Sequence, residues 1–512
     1  MKKRYYLLLL LVISVVNFSC SHSTAYIPEP VPESFDDDGI AMEPTTSAVL
    51  RVIPTEVYQE IDGFGCAFAE WSHRIYTNTK RLEVVEALFS ENGLGLNIFR
   101  GEAFPHYGKD DGTYDFGLNA HFNRSATDPY LINGFWGDTA LRVRLGQMWL
   151  VNEITSNPDK YKVDKFLFST WSPPGYMKTS GKPDGGSILP EKKKEFANYL
   201  AEFVKGYEEK FNFEVYAISP TNEPNTGFGS WSVCSWTPES LANFIVDDLR
   251  PALTAQGLKT NIVLGEHSWW AAGNKYVDNA IAANPEVAKV SQIAAGHGYF
   301  TSDAAIVPYQ GAVDAGLKVW NTEFSNTSTK DVGWVKDALT WATTFERYLE
   351  AGNVNGLVWW AGARPALNNE PLIYLEEAIP STDFELTPRY HALGHFSKFI
   401  KAGSHRVGIE ASQLSTKSEE GEEEVEIFPS ELSYTAYVNN ENNTFTIVAI
   451  NRLNGPIETL VEIEGEEIEN MRIYSSTVGT RWMHKKVNPS LTGARSLMIP
   501  AEGIVTITGK IR

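Results

Sequence analysis

Eight short apolar runs recur along one stretch of this chain, at residues 61–68, 95–100, 166–170, 215–219, 261–265, 292–296, 318–322 and 356–360. Each has the length and the unbroken hydrophobicity of a strand buried on both faces, which is how parallel strands read. Parallel neighbours need a crossover of a dozen or more residues, commonly a helix, and the stretches between the runs carry helical patterns. Residues 191–210 place Phe196, Leu200, Phe203, Val204 and Tyr207 at helical spacing with charges opposite. Residues 238–253 follow Thr237 as a cap, with Pro238 in the first turn, and residues 332–351 form a third such pattern. Eight strand–helix units at similar spacing predict an α/β chain built on a (β/α)₈ barrel. A doubly wound sheet is the alternative, but it lacks its glycine-rich first turn. Gly-x-Gly pairs start at Gly63, Gly93, Gly227 and Gly296, and the third-glycine position holds Phe68, Ile98, Ser232 and Thr301, so no dinucleotide fingerprint is present.

Beyond about residue 397 the texture changes. Residues 434–438, 444–451, 459–463, 471–475 and 504–509 alternate apolar and polar, as antiparallel strands with one wet face do. Residues 48–58 are also strand-like. The expected organisation is a barrel over 61–396 and a side β-sandwich made of 48–60 plus 397–512. The acidic stretch 419–424 reads as a solvated loop.

The N-terminus reads as an address. Lys2, Lys3 and Arg4 precede an apolar run over 7–16 broken by Ser14, too short to span a bilayer, which takes roughly 20 residues, and right for an export signal over 1–19. Asn17-Phe18-Ser19-Cys20 resembles a bacterial lipobox, with lipid on Cys20 and residues 20–47, rich in proline and acid, as a tether. Membrane contact is then expected only through that lipid, on an outer-membrane, cell-surface or periplasmic protein. Cys66 and Cys234 are the other cysteines, too few for a disulfide framework or a zinc pattern. Acids outnumber bases 64 to 44 with no basic block, which argues against nucleic acid as a partner.

Barrel enzymes gather their chemistry where strands end. The second run ends in Arg100 and Glu102, the third leads into Trp171 to Lys178, and the fourth into Asn222-Glu223-Pro224. The sixth leads to His297-Gly298-Tyr299, the seventh to Glu323 and the eighth to Trp359-Trp360. Glu223 and Glu323 thus occupy equivalent ends of strands four and seven and can face a common site. A lone glutamate at a strand end is ordinarily a surface acid. Two of them bracketed by amides, prolines and aromatics match the carboxylate pair that glycoside hydrolysis requires.

Asn222-Glu223-Pro224 with Glu323 resembles the retaining (β/α)₈ glycosidase superfamily. Ile61-Asp62-Gly63-Phe64-Gly65, the segment from Trp171 to Lys178, and Ala217-Ile218-Ser219-Pro220-Thr221-Asn222-Glu223-Pro224 resemble glycoside hydrolase family 30. The resemblance covers nearly all of the chain after the signal and implies no cofactor and no metal. Cys66-Ala67-Phe68 and a long insertion from Phe104 to about Lys162 depart from the glucosylceramidase-like members. In this reading Glu223 is the general acid/base, which must hold a proton, and Pro220, Pro224 and Trp231 give it an apolar flank. Glu323 is the nucleophile, with Arg100 as the cation that keeps it ionised, although Arg100 also suits a structural ion pair. Asn222 meets the sugar 2-hydroxyl, and His297 and Tyr299 orient Glu323, unless His297 is a satisfied core histidine. Trp171 and Trp359 or Trp360 offer stacking faces, with one ring of the Trp359-Trp360 pair in the core.

A non-catalytic glycan-binding lipoprotein would have no reason to hold both glutamates. No G-x-S-x-G and no H-E-x-x-H occurs, which sets aside serine and zinc hydrolases. The expected activity is retaining hydrolysis of β-linked cell-wall polysaccharide by an endo-acting enzyme, with xylan first and β-1,6-glucan or β-1,6-galactan next. An exo-acting β-glucosidase or glucosylceramidase-like enzyme is the alternative. Arg364, just past strand eight, resembles the residue with which related glucuronoxylanases read an acidic branch, although the local spacing differs and an ordinary surface arginine is the default reading.

Overall fold

The computed structural model describes residues 46–104, 144–227, 231–328, 330, 332–418, 421–424, 431–486 and 496–512. The signal segment, Cys20, nearly all of the tether and much of the insertion after Phe104 lie outside these residues.

Strand β1 (Thr46–Glu60) is followed by the eight strands of a closed parallel barrel, in chain order. They are β2 (Gly63–Ala67), β3 (Ile98–Glu102), β4 (Lys165–Ser169), β5 (Ala217–Ser219), β6 (Asn261–His267), β7 (Ile293–His297), β8 (Lys318–Glu323) and β9 (Gly356–Trp359). All eight apolar runs became these strands. β2 pairs with both β3 and β9, which closes the ring. The barrel is filled rather than hollow. Ala67, Ile98, Leu167, Ala217, Val263, Ile293, Trp320 and Val358 form one buried cluster to which every strand contributes, the layered interior typical of eight-stranded barrels. Trp320 is its largest member. Its indole N–H finds the Asp62 carboxylate at 2.8 Å, and the Tyr216 ring stacks on it at 5.7 Å.

Helices cover the outside. The helix Lys193–Phe211 buries Phe196, Leu200, Phe203, Val204 and Tyr207, the stripe its spacing predicted. It stops at Asn212, which takes a left-handed conformation (φ 51°) that asparagine tolerates better than most residues. Thr237 caps the helix Pro238–Phe244, its hydroxyl accepting from the Ser240 N–H at 3.1 Å.

The C-terminal strands are β13 (His405–Ser418), β14 (Gly421–Glu424), β15 (Leu432–Asn439), β16 (Thr444–Asn451), β17 (Ile457–Ile463), β18 (Ile468–Ser476), β19 (Met483–Lys486), β20 (Ser496–Ile499) and β21 (Gly503–Ile511); short β10 (Ala363–Arg364), β11 (Ile373–Leu375) and β12 (Phe384–Leu386) form a separate three-stranded sheet. β1 joins the C-terminal set between β13 and β17, as its pattern suggested. These strands make one sheet, not two. β20 lies at one end of the hydrogen-bonded path and β21 third from the other, six spacings away, about 29 Å if the sheet were flat. Residues 500–502 alone connect them, and four peptide steps reach at most about 15 Å. The sheet must therefore curl until its ends face one another around Leu50, Ile447, Ile457, Ile499, Val505 and Ile507. The sandwich is a single sheet wrapped on itself.

One local expectation is corrected. Residues 421–424 are a strand paired with β13 rather than part of a loop. β13 alternates apolar and polar from Val407 to Ser412, and beyond Ser412 its extended form continues through pairing with β1 and β14. The sheet is tied to the barrel where β2 begins, by Ile61 N–H to Ser404 O at 2.7 Å and Gly403 N–H to Ile61 O at 2.9 Å.

Candidate active site

The C-terminal ends of the barrel strands surround a cavity of about 650 Å³, in the range of small-molecule sites. Glu223 and Glu323 both line it, with Asn222, Trp171, Tyr299, Trp360 and Arg364. Glu323 ends β8, and Glu223 lies four residues past β5 at a positive φ of 48°. A side-chain-bearing residue held there costs of order 1–3 kcal/mol, a strain that clusters at functional sites. The Glu223 N–H donates to the Glu266 carbonyl at 2.9 Å, which fixes that turn.

Arg100, fully buried on β3, organises the floor. One guanidinium nitrogen donates to Glu323 Oε2 at 2.8 Å. The other donates to Asn222 Oδ1 at 2.7 Å and to Glu266 Oε2 at 3.3 Å. The guanidinium lies 4.8 Å from the Trp171 ring centroid, within cation–π range. Tyr299 donates its hydroxyl proton to Glu323 Oε1 at 2.6 Å. His297 stands between the two acids, its Nδ1 3.2 Å from Glu223 Oε1 and its Nε2 3.9 Å from Glu323 Oε2.

Burial pushes the Glu323 carboxyl above the ordinary carboxylate value, against the pull of His297, Arg100 and the Tyr299 hydroxyl; the Glu223 charge adds to the push. Burial presses the His297 imidazole down, but Glu323 and Glu223 more than offset it, so its net shift is upward. Burial drives the Tyr299 phenol well up, so it stays a donor.

Among the described residues, Glu223, His297 and Glu323 are the one group of three or more His, Cys, Asp or Glu that brings one ligating atom from each within 4.8 Å of one another. The Arg100 cation bonded to Glu323 already supplies a positive charge there, and repulsion from it disfavours a metal ion as a further partner.

Arg100, Asn222, Tyr299 and Trp171 stand around the two acids as their positions suggested. His297 is closer to Glu223 than to Glu323, whereas the expectation put it on Glu323. In the tryptophan pair, Trp360 lines the cavity and Trp359 does not. Trp359 is corrected to a core residue: it is 1% exposed, packs edge-on against Phe324, Trp341 and Phe345, and donates its N–H to Glu370 O at 2.6 Å. Arg364 reaches the cavity, but its guanidinium pairs with Glu370 at 3.4 Å and lies over the Trp71 ring at 4.6 Å.

Glu266, Trp71, Trp269 and Phe300 escaped the sequence reading. Trp71 meets Trp360 edge to face at 4.7 Å, and Trp269 and Phe300 stand exposed on the rim. Gly265-Glu266-His267 does carry the signal used for the other strands, a polar tail after an apolar run.

A family model described as the glycosyl hydrolase family 30 TIM-barrel domain matches residues 61–306, which spans barrel strands one to six and includes Glu223. The lysosomal acid glucosylceramidase of Mus musculus is 25% identical over 415 residues, 72% of this chain and 73% of its own. An endo-1,6-beta-D-glucanase of Neurospora crassa is 22% identical over 332 residues, 61% of this chain and 64% of its own. Among solved structures, the catalytic domain of GH30 xylanase C from Talaromyces cellulolyticus superposes with a TM-score of 0.70 at 21% identity, covering 90% of this chain and all of that one, a likeness of fold. Residues 61–306 thus match the glycosyl hydrolase family 30 TIM-barrel domain, and the protein is a glycoside hydrolase.

Proposed function

We propose that the protein is a retaining, endo-acting β-glycosidase on a neutral β-linked glucan, with Glu323 as nucleophile and Glu223 as general acid/base. The observation that carries the mechanism is the approach of the two carboxylates, whose oxygens come within 4.8 Å. Retaining enzymes hold their carboxyl groups about 5–5.5 Å apart and inverting ones about 6.5–9.5 Å. In the first step a Glu323 oxygen bonds to the anomeric carbon while the bond to the leaving oxygen breaks, and Glu223 gives that oxygen its proton. In the second, Glu223 takes a proton from water, whose oxygen bonds to the anomeric carbon and releases Glu323. Arg100 and the Tyr299 hydroxyl favour the ionised nucleophile against its burial. Arg100 also holds the Asn222 carbonyl, which leaves the amide N–H₂ for the sugar 2-hydroxyl.

Two arguments move the substrate from xylan towards glucan. The two relatives described above act, by their names, on glucosides, whereas the xylanase likeness is one of fold. Arg364, the cation an acidic xylan branch would need, is already paired with Glu370. Endo action is supported by Trp71 and Trp269, which line the cavity beyond strands one and five. In an eight-strand ring those strands face each other, so aromatic surface continues on both sides of the acids. A second reading, exo action on a glucoside with an apolar aglycone, is favoured by Phe300, 91% exposed on the rim. Export and lipidation at Cys20 complete the proposal, and Cys20→Ala should then move the protein from membrane to soluble fractions.

The test is product analysis on β-1,6-glucan, β-1,6-galactan, xylan and a glucosylceramide, with the first anomer followed by proton NMR. Glucan oligosaccharides released as β-anomers are expected, and Glu223→Ala should be rescued by azide to a β-glycosyl azide. An α-anomer as first product overturns the mechanism, and xylan oligosaccharides as the main product overturn the substrate.

A further inference from the structure

Barrel strand β6 contains an irregularity that the proposed mechanism leaves unexplained. Its pairing with β7 slips between Gly265 and His267, so Glu266 has no partner in the register. Gly265 takes φ 116° and Glu266 φ 61°. A Cβ at 265 would fall 2.4 Å from the Ala295 carbonyl oxygen, so the slip needs glycine there. Bulges of this kind re-aim a side chain next to active sites.

This one turns a glutamate into the floor of the mouth. Glu266 is fully buried. Its Oε1 accepts from the Ser169 hydroxyl at 3.1 Å and its Oε2 from Arg100 at 3.3 Å, while its backbone carbonyl accepts the Glu223 N–H at 2.9 Å. The same residue therefore holds the turn that presents one acid and the cation that serves the other. Two non-glycine residues at positive φ, Glu223 and Glu266, are joined directly by that backbone bond.

We propose that Glu266 is a positioning residue that divides the Arg100 cation between itself and Glu323, leaving the nucleophile basic enough to attack, while its bulged backbone seats Glu223. The proposal rests on the roles given above to Glu223 and Glu323. An arginine committed wholly to Glu323 would stabilise the carboxylate most in the resting enzyme, where its charge is full, and less once the glycosyl bond has consumed that charge. Such ground-state stabilisation slows the step. A second carboxylate on the same guanidinium weakens it. The other titratable groups facing this set are Glu102, Glu223, His297 and Tyr299, with His267 behind them.

Glu266→Gln keeps the shape and removes the charge. With Arg100 left to Glu323, the acid limb of kcat/KM should move down by about one pH unit, and kcat should fall. The Glu323 carboxyl midpoint, read by carbon-13 NMR on carboxyl-labelled glutamate and assigned by Glu323→Gln, should move down with it. Ser169→Ala removes a donor from Glu266 and leaves its charge more dependent on Arg100, so the Glu323 midpoint should move up, by less than Glu266→Gln moves it down, and this decides the matter if Glu266→Gln does not fold. A folded Glu266→Gln protein with the wild-type midpoint overturns the proposal, as does an unmoved midpoint in Ser169→Ala when that variant alone folds. The NMR midpoint needs no substrate. A wild type inactive on every β-glycoside would sink the proposed function and still leave this measurement to decide the role of Glu266.

Discussion

The barrel mouth and the side sheet are equally buried and chemically opposite. At the mouth Arg100, Glu266 and His297 are 0% exposed and Glu323 is 5% exposed; in the sheet the same depth is filled by Leu50, Ile447, Ile499, Val505 and Ile507. Moving an ion out of water costs several kcal/mol even after relaxation, and a buried ion pair seldom returns more than it costs. A buried aliphatic side chain contributes about 1.5–3 kcal/mol. Stability is therefore built in the sheet and in the barrel's apolar layers. The mouth is a charged constellation that those layers hold in place, so activity and stability should be separable by single substitutions.

The largest effect should come from Glu323→Ala. Removing a covalent nucleophile costs on the order of 10⁴–10⁶-fold in turnover, while Glu266 still pairs with Arg100, so circular dichroism and the melting cooperativity should stay those of the wild type. Wild-type-like activity in that variant would show that the chemistry lies elsewhere. Ile507→Ala is its mirror image: a loss of about 2–5 kcal/mol in stability by denaturant titration, with kcat per folded molecule unchanged. A sheet variant that lost activity while remaining folded would break the contrast.

One dipeptide repeats the comparison at small scale. Trp359 packs among core aromatics and Trp360 faces the cavity. Trp359→Ala should cost about 3–5 kcal/mol in stability, whereas Trp360→Ala should spare the fold and raise KM through a lost stacking face. The sequence could not tell these rings apart. Period-2 alternation says that neighbours on a strand face opposite sides, but both faces of this strand are buried, so polarity gives no sign of which is which. The eight barrel strands and the helical stripe of Phe196, Leu200 and Phe203 were legible because burial imposes a period. Arg100, Glu223 and Glu323 were legible because they end apolar runs. Glu266 follows the run over 261–265 in the same way, but the bulge that turns its side chain onto Arg100 has no mark in the sequence. The part of β13 past Ser412 was not legible, since its alternation ends there and pairing with β1 and β14 extends it.

A buried acid outside the mouth sharpens the argument. Glu346, on the helix Thr340–Glu350 that packs against β15 of the side sheet, is pushed up to about 8 by burial and by the Glu350 charge, against Arg347. Its folded state binds the proton more tightly than the unfolded chain does. Stability from this group is thus fully present below the ordinary carboxylate value and is lost as pH rises from there through about 8. Glu346→Gln should flatten that slope, with a melting temperature a few degrees higher at pH 8 and little changed at pH 4. Equal shifts at both pH values would mean that the carboxyl does not titrate in this window.

The smallest effect should be the most informative about the mouth. Tyr299 donates to Glu323 Oε1 at 2.6 Å, and a donor to a carboxylate favours its ionised form. Tyr299→Phe keeps the ring and removes the donor, so Glu323 holds its proton to a higher pH. The acid limb of kcat/KM should therefore move up, by about one unit, since a hydrogen bond to a charged group is worth about 1.5–3 kcal/mol. Activity should be lost on the acid side and largely kept on the plateau. Glu266→Gln should move the same limb down, because it frees the Arg100 cation for Glu323 rather than removing a donor from it. Two variants on either side of one carboxylate, with opposite signs, separate an electrostatic role from simple disruption, which would move both limbs together or neither. If both variants shifted the limb the same way, Glu323 would not be the group whose ionisation governs the reaction.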